Sequence, residues 1–178
     1  MSSNRIVTGH DADGKSVFLD DQAVEPVQMN AMPGFKTFEL WSMGSDKSVP
    51  HKGAFPGVPT YFPGEDGTVF RMIDFPPTEE GESGIDLSPE GVEEISGKMP
   101  GALAHFELDA PGMHTTDSID FGILVKGELL LELDDGATRT LKAGDCVVQN
   151  GTRHAWRNHS GTVATMFFIL QGAKRDGS

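Results

Sequence analysis

From residue 102 to 170 the chain is cut into short apolar stretches, each stopped by a turn signal within about eight to twelve residues. That spacing leaves no room for amphipathic helices and points to an all-β sandwich or barrel. Strands are expected over Ala102–Leu108, Asp120–Lys126, Glu128–Leu133, Thr138–Leu141, Asp145–Gln149, His154–Asn158 and Thr162–Leu170. Turns fall at Ala110-Pro111-Gly112, Asp134-Asp135-Gly136 and Ala143-Gly144. In Ile119–Leu133 both alternating faces carry apolar side chains, which a strand tolerates only when both faces are covered. An N-terminal arm, a second subunit, or both are therefore expected on the outer face, with Met166, Phe167 and Phe168 filling core on both sides.

The first half has a different texture. Residues 1–34 are polar and rich in turns, with a turn at Asp11-Ala12-Asp13-Gly14 and a short apolar segment at Ser16–Leu19. Phe35–Trp41 reads as a strand and Thr68–Phe75 as a second, stopped by Pro76-Pro77. Between them Pro50, Pro56, Pro59 and Pro63 rule out long regular elements. One short helix is expected from Ser88, with that serine as N-cap, Pro89 at the first helical position and Gly97 near its end. The expected organisation is an arm over 1–98, with two strands packing on the barrel and the helix, a barrel core over 99–174, and a polar tail over 175–178.

A net charge of −13 repels phosphate backbones and anionic lipids, so nucleic-acid and membrane-surface roles are disfavoured. The single cysteine, Cys146, permits no intramolecular disulfide and sits in an apolar run where a small buried hydrophobe is expected. Met1–Gly14 lacks the apolar stretch of a signal peptide, and no segment is long and apolar enough to span a bilayer. A cytoplasmic location is the expectation.

The order Pro111-Gly112-Met113-His114-Thr115-Thr116-Asp117-Ser118-Ile119-Asp120, then Gly127-Glu128, resembles the first sequence motif of the cupins. Gly144-Asp145, followed by Gly151-Thr152-Arg153-His154-Ala155-Trp156-Arg157-Asn158, resembles the second. The opening Arg5-Ile6-Val7-Thr8-Gly9-His10-Asp11 is similar to that of bacterial and fungal single-cupin proteins. The resemblance implies a double-stranded β-helix, the jelly-roll barrel of the cupins, with an extended N-terminal arm and at most one or two short helices.

Metal-binding cupins use two histidines and a glutamate from the first motif and a histidine from the second. Here His114 and His154 occupy the first and last positions, while Thr116 replaces the second histidine and Asp120 the glutamate. Threonine is a poor ligand for a transition metal, and aspartate reaches about 1.5 Å less far than glutamate. The second motif also lacks its usual proline and is one residue shorter, with Gln149-Asn150 before Gly151. In an extended segment His114, Thr116, Ser118 and Asp120 point the same way. The resemblance thus implies a metal set of His114, Asp120 and His154 for one divalent ion, iron, zinc, manganese or nickel. The other reading is a metal-free site in which Asp120 hydrogen-bonds a histidine.

Thr116, Ser118, Trp156 and His105 are the candidate substrate-binding residues around this set; His105 and Glu107 are otherwise a rim pair. His10, His51 and His159 lie in arm or loop sequence, and Arg153 and Arg157 have surface partners such as Asp145 open to them. The resemblance implies an enzyme of lyase or isomerase type. It would carry out metal-assisted decarboxylation, dehydration or isomerisation of a small oxygenated acid, ketone or phenol, with His114 or His154 moving the proton. An iron-dependent dioxygenase and a non-catalytic small-molecule-binding cupin are the alternatives. A homodimer, with arms covering neighbouring sheets, is expected.

Overall fold

The computed structural model describes residues 3–49, 55–80 and 82–176; Pro50, His51 and the end of the polar tail lie outside them. The arm is more regular than its polar composition predicts. Strands β1 (Ser3–His10) and β2 (Ser16–Val24) form an antiparallel hairpin with a bulge at Val7/Thr8. Its turn is the expected one. Asp11 Oδ1 accepts the backbone N–H groups of Asp13 and Lys15, both at 2.9 Å, and Gly14 takes a φ of 79°.

A six-stranded sheet runs in the order β3 (Val27–Gln28), β4 (Lys36–Met43), β5 (Thr68–Phe75), β11 (Ala164–Gly172), β6 (Ser118–Lys126), β9 (Cys146–Asn150). A three-stranded sheet runs β10 (Ala155–Arg157), β7 (Glu128–Glu132), β8 (Thr138–Lys142). Leu129 and Leu141 from the small sheet pack with Val69, Leu124, Met166 and Phe168 from the large one in a single core. This is the expected all-β jelly roll. The tight β6–β7 connection needs Gly127, whose φ is 78° and whose Cβ would lie 2.9 Å from Ala164 Cα.

Helix α1 (Pro89–Lys98) starts as the sequence predicts, with the Ser88 hydroxyl accepting the Gly91 N–H at 3.2 Å. Glu94 on α1 accepts the backbone N–H groups of Asn30 and Ala31, which ties the helix to the segment before β4. Its buried face carries Ile95.

Two expectations are corrected. Ala102–Leu108 is not a strand: Gly101 adopts φ 78° and Ala102–Ala104 form a 3-10 turn, leaving only an isolated bridge between Phe106 and His114. A fully buried Ala102 beneath α1 fixes that turn, overriding the apolar alternation. Cys146 is exposed, because β9 is an edge strand whose inward positions are Val147 and Gln149.

The outer face of the large sheet is covered in part. Phe38, Leu40 and Met72 are buried there, with Val24 of β2 and Phe167 packed against them. Further along, the sheet register places Phe70, Ile169, Phe121 and Val148 side by side on four adjacent strands, and all four are exposed. Among the described residues no helix is long and apolar enough to cross a membrane.

Candidate functional site

The space between the two sheets is a cavity of about 390 Å³, within the range of small-molecule sites. Its walls are mostly apolar, from Phe35, Phe75, Ile95, Met99, Phe106 and Phe168, and Pro76, Pro77, Ile85 and Leu87 border it. Among the polar groups facing it are His114, Asp120, His154 and Arg71.

His114 and His154 are locked together by the backbone. Each donates its N–H to the other's carbonyl, at 2.9 and 3.0 Å, which brings the ring centres to 4.2 Å. The side chains are oriented from behind. His114 Nδ1 lies 3.0 Å from the Gly112 carbonyl and His154 Nδ1 lies 2.9 Å from the Thr152 carbonyl. A carbonyl only accepts, so Nδ1 carries the proton on both rings and Nε2 keeps its lone pair. Among the described residues neither Nε2 has a hydrogen-bond partner. His114 stacks on Phe106 at 4.7 Å and Phe62 at 5.8 Å; His154 meets Trp156 edge-on at 5.6 Å. Burial in this aromatic shell, followed by the charge His154 would carry, pushes the His114 imidazole down to about 3. Burial lowers His154 as well. Both rings are neutral at physiological pH.

Asp120 behaves in the opposite sense. Burial pushes its carboxyl up to about 6, with the Ser118 hydroxyl and the Arg71 charge acting against the rise. The Ser118 hydroxyl donates to Thr116 Oγ1 at 2.9 Å. Oδ1 of Asp120 is buried without a hydrogen-bond partner among the described residues. The expected Asp120–histidine hydrogen bond does not form.

Residues expected to share one face do so: His114, Thr116, Ser118 and Asp120 are all buried, while the intervening side chains are more exposed. Only part of the expected site meets the cavity, however. His114, Asp120, His154 and Trp156 line it; Thr116, Ser118 and His105 do not. Thr116 and Ser118 bond to one another behind it, and His105 turns its Nδ1 to the Thr115 carbonyl at 3.1 Å. Glu107 accepts two bonds from Arg153, whose third partner is Asp134, and Arg157 is held by Glu132; neither arginine uses Asp145.

The residue that sequence reasoning missed is Arg71. It points inward from β5 with 1% of its surface exposed, its guanidinium 3.7 Å from the centre of the Tyr61 ring. Nη2 donates to the Tyr61 carbonyl at 2.5 Å and lies 3.2 Å from Glu39 Oε2, while Nε and Nη1 have no hydrogen-bond partner among the described residues. A lone arginine among apolar residues in Thr68–Phe75 is the signal that was available.

The donor set can be tested against a metal ion. Two imidazoles with open Nε2 atoms and carbonyl-held Nδ1 protons have the outer support that metal-binding histidines use. Yet among the described residues no group of three His, Cys, Asp or Glu side chains is placed to hold an ion. His114, Asp120 and His154 therefore do not form a three-ligand set in this structure. With Thr116 in the position of the missing histidine, two imidazoles are too few for the usual three-ligand site.

The Cupin domain family matches residues 105–170, the stretch that carries both motifs. The phomopsin biosynthesis cluster protein C' of Diaporthe leptostromiformis is 33% identical over 96% of this chain and 79% of its own length. Protein D of the same cluster is 31% identical over the same shares. The cupin-domain-containing oxidoreductase virC of Hypocrea virens is 29% identical over 96% of this chain and 76% of its own. With the barrel, both motifs and relatives that align over 96% of this chain in agreement, the chain belongs to the cupin superfamily.

Proposed function

We propose that this cupin is a small-molecule enzyme that moves a proton on a largely apolar, oxygenated substrate, in a dehydration, isomerisation or decarboxylation. The observation that carries the reading is the pair of neutral imidazoles presenting open Nε2 atoms to the same apolar cavity as a carboxyl poised near neutrality. His114, pushed down to about 3, is a weak base, and burial weakens His154 in the same direction, so both accept hydrogen bonds from substrate hydroxyl or enol groups. Asp120, pushed up to about 6, is the better proton carrier. The apolar walls exclude water and strengthen each of these polar contacts. No step in this scheme is routed through a metal.

The test is solvent exchange. The protein is incubated in D₂O with a panel of keto acids, hydroxy acids and phenols, and deuterium entry at carbon is followed by NMR. Wild type should exchange at least one panel member, with about a hundredfold loss in His154→Ala and Asp120→Asn. Exchange that survives both substitutions would remove the site.

A second reading is oxidative, favoured by relatives named as cupin-domain-containing oxidoreductases. Oxygen uptake with the same panel separates the two. The exposed row of Phe70, Ile169, Phe121 and Val148 supports a homodimer, since apolar side chains aligned on four neighbouring strands form a continuous strip that a second copy would cover.

A further inference from the structure

Charged side chains are rarely fully buried unless every donor is matched, and Arg71 is buried with most of its donors unmatched. Among the described residues the Nε–H and both Nη1–H hydrogens lack acceptors. Its ion-pair partner, Glu39, is 3.2 Å from Nη2, but Oε2 makes no hydrogen bond, and Oε1 is already engaged by the Thr37 hydroxyl at 2.9 Å. Glu39 thus balances the charge without filling the donors.

The complementary deficit lies two strands away. Arg71 on β5 is opposite Phe168 on β11, and Phe168 is opposite Gly122 on β6, so Asp120 projects inward one row along from Arg71. Both residues line the cavity, they form no ion pair with each other, and Asp120 Oδ1 is an acceptor with no donor. An otherwise apolar chamber is therefore lined by one residue with unfilled N–H donors and by another with an unfilled carboxyl oxygen. Apolar walls supply a partner to neither. A ligand with an acid group and an adjacent hydroxyl fits both.

We propose that Arg71 anchors the carboxylate of an apolar or aromatic acid, with a hydroxyl or enol of the same ligand donating to Asp120 Oδ1. The assignment rests on the cavity being the substrate site and narrows its substrate from acids, ketones and phenols to acids bearing a second oxygen. Arginine suits the role because its donors are fixed in a plane and its charge persists when buried. The Tyr61 ring stacked on the guanidinium holds that plane in place.

The experiment compares three probes by saturation-transfer NMR and calorimetry: phenyllactate, its uncharged amide, and hydrocinnamate, which lacks the hydroxyl. Phenyllactate should bind at least tenfold more tightly than the amide and several-fold more tightly than hydrocinnamate. Arg71→Met should bring the acid down to the level of the amide and leave the amide unchanged. If that variant does not fold, Glu39→Gln decides, because removing the competing carboxylate should tighten acid binding several-fold. Amide binding equal to acid binding, an acid preference that persists in Arg71→Met, or no tightening in Glu39→Gln would overturn the anchor while leaving the cavity as a ligand site. Failure of all three probes to bind would overturn both.

Discussion

Asp120→Asn removes one charge at nearly constant shape, and burial makes its effect depend on pH in a defined direction. An exposed aspartate titrates near 3.9, and this one is pushed up to about 6. Between those values the folded state holds a proton that the unfolded chain has released, so stability falls as pH rises. Below about pH 4 the carboxyl is neutral in both states and the penalty vanishes. Above about pH 6 it is charged in both, and the penalty is complete at about 3 kcal/mol, from roughly two units at 1.36 kcal/mol each. Asparagine carries no such penalty at any pH, although its amide still needs partners near Oδ1. The variant minus wild-type difference in unfolding free energy should therefore rise by about 2–3 kcal/mol from pH 4 to pH 8. Urea denaturation at four pH values measures it, and taking the difference cancels the large contribution of the other acidic groups in a chain of net charge −13. A difference that stays flat across that range would show that Asp120 is solvated in the folded protein. The proton carrier assigned to the site would then be lost.

Three further expectations follow from the same geometry. His114 is pushed down to about 3, so the folded protein refuses a proton that unfolded chains take up below about pH 6.5; stability is lost as pH falls, and His114→Gln should recover about 3 kcal/mol of relative stability by pH 4, read by denaturation at pH 7 and 4. Phe121→Asp places a charge in the exposed strip of the large sheet and should convert a dimer to a monomer in sedimentation velocity; an unchanged sedimentation coefficient would discard that face. Untagged protein should carry well under one equivalent of iron, zinc, manganese or nickel by elemental analysis. A full equivalent that disappears in His114→Ala would restore a metal centre and displace the acid–base scheme.

The parts of the fold that could be read from the chain are those where local chemistry and packing agree. The strands from Ser118 to Gly172 alternate because one face of each meets the core, and the turns between them carry their own glycines and aspartates. The start of α1 was legible because Ser88 and Pro89 are position-specific. Where the two disagree, the sequence misleads. The apolar run at Ala102 belongs to a turn, since burial beneath a helix satisfies apolar residues as well as a sheet does. Conversely, β1 and β2 hide behind polar residues because they form a two-stranded arm whose faces are largely wet, so pairing and turn geometry set their register.

The site divides along the same line, by sequence distance. His114 and His154 stand out because the two motifs mark them, and the backbone bridge between them is the barrel's way of bringing the motifs together. Period-two spacing put Thr116 and Ser118 on the same face as His114 and Asp120, correctly, but a shared face does not set depth. His114 and Asp120 line the cavity while Thr116 and Ser118 between them do not, a difference set by three-dimensional packing and not by spacing. Arg71 shows in the sequence as a charge within an apolar strand, but its role does not. Its meaning depends on Tyr61 from the proline-rich loop, Glu39 from β4 and Asp120 from β6, three segments with no common motif. A buried cation left short of acceptors becomes visible only when the donors and acceptors around it are counted in three dimensions. That count sets the acid-anchoring role proposed for Arg71 apart from a purely structural stack on Tyr61: a structural arginine in the wall of the chamber that holds the two histidines has no use for Nε and Nη1 donors left without acceptors.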